Sequence, residues 1–156
     1  MTNSDLIHKF YNSFSNFDLE GMASCYHKNI EFQDPAFGSL KGERAIKMWA
    51  MLISRKEVIR EIRFSNIQAG EENGSVDWVA QYAYGPKKRN VVNRVHAEFR
   101  FQDGKIIKHT DDFNLWKWSR QALGPVGYLL GWSSFLQGKI QQETKRRLDV
   151  FIQNQK

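Results

Sequence analysis

Hydrophobic side chains change their repeat partway along this chain, and the change decides which layers it can form. Before residue 56 the repeat is mostly helical. Leu6, Phe10, Phe14 and Phe17 recur at spacings of three and four over residues 4 to 17, and Ile46, Trp49, Leu52 and Ile53 do the same over 42 to 55. Ser4 is placed to cap the first helix and Asp18 a short second one. Tyr26 to Asp34 alternates instead, with Ile30 and Phe32 on one face, and reads as a strand ended by Pro35. From residue 57 onward the repeat is two. Segments 57 to 69, 75 to 84, 90 to 102 and 105 to 115 read as strands, with turn signals at Asn73-Gly74, Gly85-Pro86 and Asp103-Gly104. Helices followed by a meander of antiparallel strands specify an α+β architecture, a curved sheet wrapped over the N-terminal helices.

A length of 156 residues suits one domain with a sizeable core. We expect a single domain over 1–156, with its core in 1–115 and a helical extension in 116–156. In the extension, Trp116 to Leu123 reads as a turn or two of helix stopped by Gly124-Pro125, and Ser133 caps a last helix bearing Phe135, Leu136, Ile140, Leu148 and Phe151. That helix needs an apolar surface, supplied by the open end of the sheet or by a partner subunit.

Five Trp and eleven Phe provide bulky interior material. The one cysteine, Cys25, excludes an intramolecular disulfide and a Cys-based zinc site, and its apolar helical setting favours a core thiol. His8, His27, His96 and His109 have no ligand spacing, so no metal is expected. Gly124 to Gly131 lacks the spacing and preceding strand of a dinucleotide fingerprint, so no cofactor is expected either. No window reaches the ~18 apolar residues of a membrane span, and the amino terminus lacks the basic start and apolar core of a secretion signal. We therefore expect a cytoplasmic protein without a membrane partner. The net charge of +6 rests largely on Lys87-Lys88-Arg89 and Lys145-Arg146-Arg147. These runs carry no interleaved aromatics and read as solvated surface, not as nucleic-acid contacts.

The stretch Asp18-Leu-Glu-Gly-Met-Ala-Ser-Cys-Tyr-His-Lys-Asn-Ile-Glu-Phe-Gln-Asp34-Pro35 resembles the SnoaL-like, ketosteroid isomerase-like members of the nuclear transport factor two-like superfamily. The resemblance implies a cone-shaped, cystatin-like α+β barrel and a homodimer paired through the sheet. It also implies that Asp34 stands where isomerases of the family keep a general base, at the mouth of a deep apolar pocket. Function does not follow from the fold, because relatives include isomerases, cyclases, dehydratases, epoxide hydrolases and proteins without chemistry. The two oxyanion donors of the steroid isomerases fall at Phe10 and Ala97, neither of which can donate, so that arrangement is incomplete. Tyr11 is one position off and is expected to point away on a regular helix.

Strand phase selects the side chains that face the pocket. Val91, Asn93, Val95, Ala97, Phe99 and Phe101 share one face, whereas Arg94, His96, Glu98 and Arg100 share the other. In the last strand Ile107, His109, Asp111 and Phe113 share the odd phase. A two-residue turn at Asp103-Gly104 pairs Phe101 with Ile106 and turns Asp112 inward. A three-residue loop with a bulge at Gly104 pairs Phe101 with Lys105 and turns His109 and Asp111 inward. We favour the bulge, since it does not bury Lys108, and the resemblance agrees: a catalytic Asp of the family's epoxide hydrolases corresponds to Asp111.

The catalytic candidates are thus Asp34, His109 and Asp111. The expected pocket lining is Phe10, Phe14, Trp49, Trp78, Tyr82, Asn93, Ala97, Phe99 and Phe113. A carboxyl in an apolar cavity is pushed toward neutral pKa, and histidine adds a second titrating group. The structural alternative is that His109 and Asp111 satisfy each other, while Asp34 before proline binds its own backbone amides. The functions compatible with this set are cofactor-independent acid/base chemistry on a hydrophobic small molecule, non-catalytic binding of such a ligand, or dimerisation through the outer face of the sheet.

Overall fold

The computed structural model describes residues 1–155. Helix α1 (Asn3–Ser15) is capped by Thr2, two residues earlier than Ser4. Thr2 Oγ1 accepts from the Asp5 amide at 3.1 Å and Asp5 Oδ2 accepts from the Thr2 amide at 3.0 Å, a reciprocal capping box. Asp18 caps α2 (Leu19–Cys25) by accepting from the Gly21 amide at 3.0 Å. Helix α2 runs directly into β1 (Tyr26–Asp34). After a corner at 35–37, β2 (Gly38–Lys41) folds back on β1; with Leu40 as its one buried residue, it gives no alternation to detect. Helix α3 (Glu43–Ile53) precedes β3 (Ile59–Ala69), β4 (Asn73–Tyr84), β5 (Arg89–Gln102) and β6 (Lys105–Asp112). Asn73-Gly74 opens β4 and does not turn the chain. Glycine suits position 74 because a Cβ there would lie 3.0 Å from both Ile7 and Phe101 side chains.

The six strands form one curved, unclosed sheet in the order β2-β1-β6-β5-β4-β3. All neighbours are antiparallel except β1 and β6, which run parallel. This corrects the wholly antiparallel expectation. No hairpin joins those two strands, so no turn dictates opposite directions.

The β5–β6 register combines the two alternatives drawn from the sequence. Asp103 (φ 54°) and Gly104 (φ 72°) make a two-residue turn with Gln102 opposite Lys105 and Phe101 opposite Ile106. The register then shifts, so that Arg100 faces Lys108 and Phe99 faces His109. Ile107 is the extra residue. The bulge lies inside the strand, not at Gly104, and it lets Ile106, His109 and Asp111 all point inward.

Helices α1, α2 and α3 pack on the inner face, and their apolar residues merge with those of β1, β4, β5 and β6 in one buried cluster. The extension forms α4 (Leu115–Leu123), α5 (Pro125–Leu130) and α6 (Ser134–Asn154). Asn114 caps α4 and Ser133 caps α6, whereas α5, opened by Pro125, was not legible in the sequence. Helix α6 finds its apolar surface on its own chain. Ile140 and Leu148 join the core cluster, Thr144 Oγ1 donates to the Ala36 carbonyl at 2.6 Å, and Arg44 pairs with Asp149 at 2.8 Å.

Candidate functional site

His109 and Asp111 both lie inside the cone, 0% and 4% exposed, and bond to each other through His109 Nε2 and Asp111 Oδ1 at 2.9 Å. The parallel neighbour β1 sets Phe32 beside His109, and β5 sets Phe99 on the other side. Trp78 Nε1 on β4 donates to the same Asp111 oxygen at 3.3 Å. The other imidazole nitrogen, Nδ1, lies 2.7 Å from the Tyr26 hydroxyl, which accepts from Trp49 Nε1 at 2.8 Å. The Tyr11 hydroxyl stands 3.4 Å from Nε2.

One direction of donation satisfies His109, Asp111, Tyr26 and Trp49. A carboxylate at Asp111 only accepts, so Nε2 carries the imidazole proton, Nδ1 accepts from Tyr26, and the Tyr26 oxygen accepts from Trp49. Burial holds the phenols of Tyr11 and Tyr26 well above their ordinary pKa, which keeps both protonated: Tyr26 donates to Nδ1, whereas the Tyr11 oxygen can only accept from Nε2.

Tyr11 corrects the expectation that it points away. Helix α1 buries Leu6, Ile7, Phe10, Tyr11, Ser13 and Phe14, a face wide enough to hold positions 10 and 11 together. Tyr26 was absent from the candidate set as well, although it shares the even phase of Ile30 and Phe32. That phase was the signal available.

Asp34 sits at the end of β1, partly buried, with Oδ1 accepting from the amides of Ala36 at 2.9 Å and Phe37 at 2.5 Å. The turn-forming role is therefore present. Desolvation nevertheless pushes its pKa up to about 7; the two backbone bonds oppose the shift and the charge of Asp111 adds to it. Asp34 and Asp111 border a cleft of about 470 Å³ that is lined mainly by Gln33 and the outward-facing His96, Glu98, Thr110 and Asp112, with Pro35, Gly38 and, from α6, Gln141. It opens on the polar outer face of the sheet, while the Asp111 side chain stays buried. Gln141 Nε2 donates to the Pro35 carbonyl at 2.9 Å, fixing α6 against the corner that holds Asp34.

The apolar lining behaves differently from the expectation. Phe10, Phe14, Trp49, Trp78, Ala97 and Phe99 are buried inside, but they pack on one another instead of bounding an apolar cavity. Phe14 lies 5.0 Å from Trp49 and 5.5 Å from Trp78 between ring centroids, Trp49 stacks on His109 at 5.8 Å, and Phe99 approaches His109 at 4.7 Å. The same excess of large rings that suggested a pocket wall fills the interior. Tyr82 is half-buried and accepts from Trp118 Nε1 at 2.7 Å, which ties β4 to α4; burial raises its phenol to about 12. Asn93 lies beyond Val95 toward the β4–β5 turn, opposite Ala80, and Phe113 is half-buried just past the end of β6. These three do not gather around His109. Among the described residues no cluster of His, Cys, Asp and Glu could hold a metal ion.

Helices laid in the hollow of a curved six-stranded sheet make the nuclear transport factor two-like fold. Within it the SnoaL-like domain family matches residues 7–109, and the chain belongs to that family. A candidate polyketide cyclase of Pseudomonas putida KT2440 is similar in structure at TM-score 0.62 and 18% identity, over 78% of this chain and 98% of that one. An LEH-like epoxide hydrolase of Mycobacterium tuberculosis matches at TM-score 0.62 and 18% identity, over 85% and 98%. TerC, co-crystallised with polyporic acid, matches at TM-score 0.57 and 19% identity, over 70% and 89%. No curated protein matches the chain in sequence.

Proposed function

We propose that this chain is a cofactor-independent enzyme that moves protons on a hydrophobic small molecule, with Asp34 at the end of β1 as the proton-carrying group, as an isomerase, cyclase, dehydratase or hydrolase. The observation that carries the reading is the Asp34 carboxyl, partly buried at the end of β1 next to Asp111 on the parallel β6 and raised by desolvation to about 7. Near neutral pH it is present in both forms, so it can remove a proton and return one. Asp111, fixed by His109 and Trp78, provides a negative charge that holds the proton on Asp34 and can steady a cation developing in the substrate. Candidate polyketide cyclases and an LEH-like epoxide hydrolase among the similar structures support small-molecule chemistry of this kind. A homodimer through the outer face of the sheet, where Arg94, Glu98 and Arg100 are exposed, belongs to the same proposal.

A second reading, a non-catalytic binding protein, is favoured by the fully satisfied network around His109. A screen of epoxides and cyclisable polyketide analogues separates the two. Asp34→Asn is expected to lower turnover by about a hundredfold or more while the fold persists. Asp111→Ala strands the His109 and Trp78 donors and costs roughly 1–3 kcal/mol in thermal melts. Loss of stability with ligand binding and turnover unchanged would end the catalytic role of Asp111.

A further inference from the structure

We infer that α5 and the start of α6 form a docking surface for an anionic lipid membrane. Residues 121 to 138 contain no Asp, Glu, Lys or Arg. Within them Val126, Tyr128, Leu129, Leu130, Trp132 and Phe135 are exposed, Leu129 by 72%, Phe135 by 69% and Trp132 by 65%. Their outward direction is built in. Gly127 and Gly131 face α4, where a Cβ at either position would collide with Ser119, so the large side chains between them are turned outward. Exposed apolar area of this kind marks an interaction site, and Trp, Tyr and Leu beside glycine are the residues that settle at a bilayer interface.

The charges around the patch identify the occupant. Arg120 lies over the rings of Trp116 at 4.7 Å and Tyr128 at 5.6 Å, and Lys139 lies over Phe135 at 5.0 Å. Arg89 donates to the Gln121 carbonyl at 2.8 Å, which brings the exposed Lys87-Lys88 turn to the α4–α5 corner. Among the described residues none of Lys87, Lys88, Arg89, Lys117, Arg120 and Lys139 has a carboxylate within salt-bridge distance. An apolar centre with a rim of unpaired cations complements a surface of anionic headgroups over acyl chains. A second copy fits worse, because a two-fold contact would set these cations against one another. The sequence analysis expects no membrane partner because no window reaches the length of an apolar span, and no described helix is long and apolar enough to cross a bilayer; an interfacial contact needs no span. Helices α5 and α6 lie outside the family match, which ends at residue 109, whereas the Lys87-Lys88 turn lies within it.

The test is co-sedimentation of the full chain with phosphatidylcholine vesicles, with and without phosphatidylserine. The chain is expected to bind the mixed vesicles and to be released by salt. Leu129→Ala with Trp132→Ala, and separately Lys87→Glu with Lys88→Glu, are each expected to reduce partitioning by about tenfold or more, with unchanged thermal midpoints because these side chains are exposed. Absence of binding to mixed vesicles overturns the inference. So does equal binding to pure phosphatidylcholine, retained binding of either double variant, or a patch-dependent dimer in light scattering in place of vesicle binding.

Discussion

At Asp34 two forces oppose one another, and their balance sets a pH dependence. Amides of Ala36 and Phe37 favour the carboxylate, but desolvation and the neighbouring Asp111 favour the acid, and the acid wins up to about pH 7. In an unfolded chain the same group releases its proton near 3.8. The folded state therefore binds the extra proton between these values, and this contribution to stability is complete below the lower one and lost as pH rises through the upper one. Asp34→Asn keeps an oxygen for both amides and carries no charge. Thermal melts of that variant should change less than those of the parent between about pH 5 and pH 8, with the variant more stable at the upper end by on the order of 1 kcal/mol. Parallel pH profiles for the two proteins would show that Asp34 is not raised. The candidate residues were legible singly, through phase and through the proline after Asp34. Their partners were less so: Tyr11 needs the width of the buried face of α1, and the Trp49–Tyr26–His109 chain joins positions far apart in sequence.

Among the elements, β6 shows how one residue decides which carboxylate enters the core. With Ile107 as a bulge, Ile106, His109 and Asp111 share the inner face even though their numbers do not alternate. Removing Ile107 leaves Ile106 in, Lys108 out and His109 in, a regular strand with the same interior. Removing Thr110 instead turns Asp111 outward and Asp112 inward. We expect the chain lacking Ile107 to fold cooperatively and the chain lacking Thr110 to lose several kcal/mol, because a strand slip of one residue exchanges its two faces; circular dichroism melts compare them directly. The sequence offered the turn at Asp103-Gly104 and the inward His109 as competing outcomes. Both occur, since a bulge within a strand leaves no mark in the composition of the turn.

Across the whole molecule, α6 is attached to the cone by packing more than by charge. Leu148 is fully buried on α3 and its neighbours, whereas Arg44 and Asp149 meet in water at the surface. Leu148→Ala should cost about 2–4 kcal/mol and Arg44→Ala less than about 1 kcal/mol, both read from denaturant midpoints. Equal losses would mean that the ion pair holds the helix. Side-chain periodicity determined by itself the α+β class, the N-terminal helices and five of the six strands, because it is local and is written directly in the order of residues. Partnership is not local. The parallel pairing of β1 with β6, the filling of the expected pocket by its own aromatic rings, the meeting of Asp34 with Asp111 and the approach of the Lys87-Lys88 turn to α5 each join segments separated in the chain. Only tertiary packing decides such pairs, since it weighs the burial of one surface against every alternative at once.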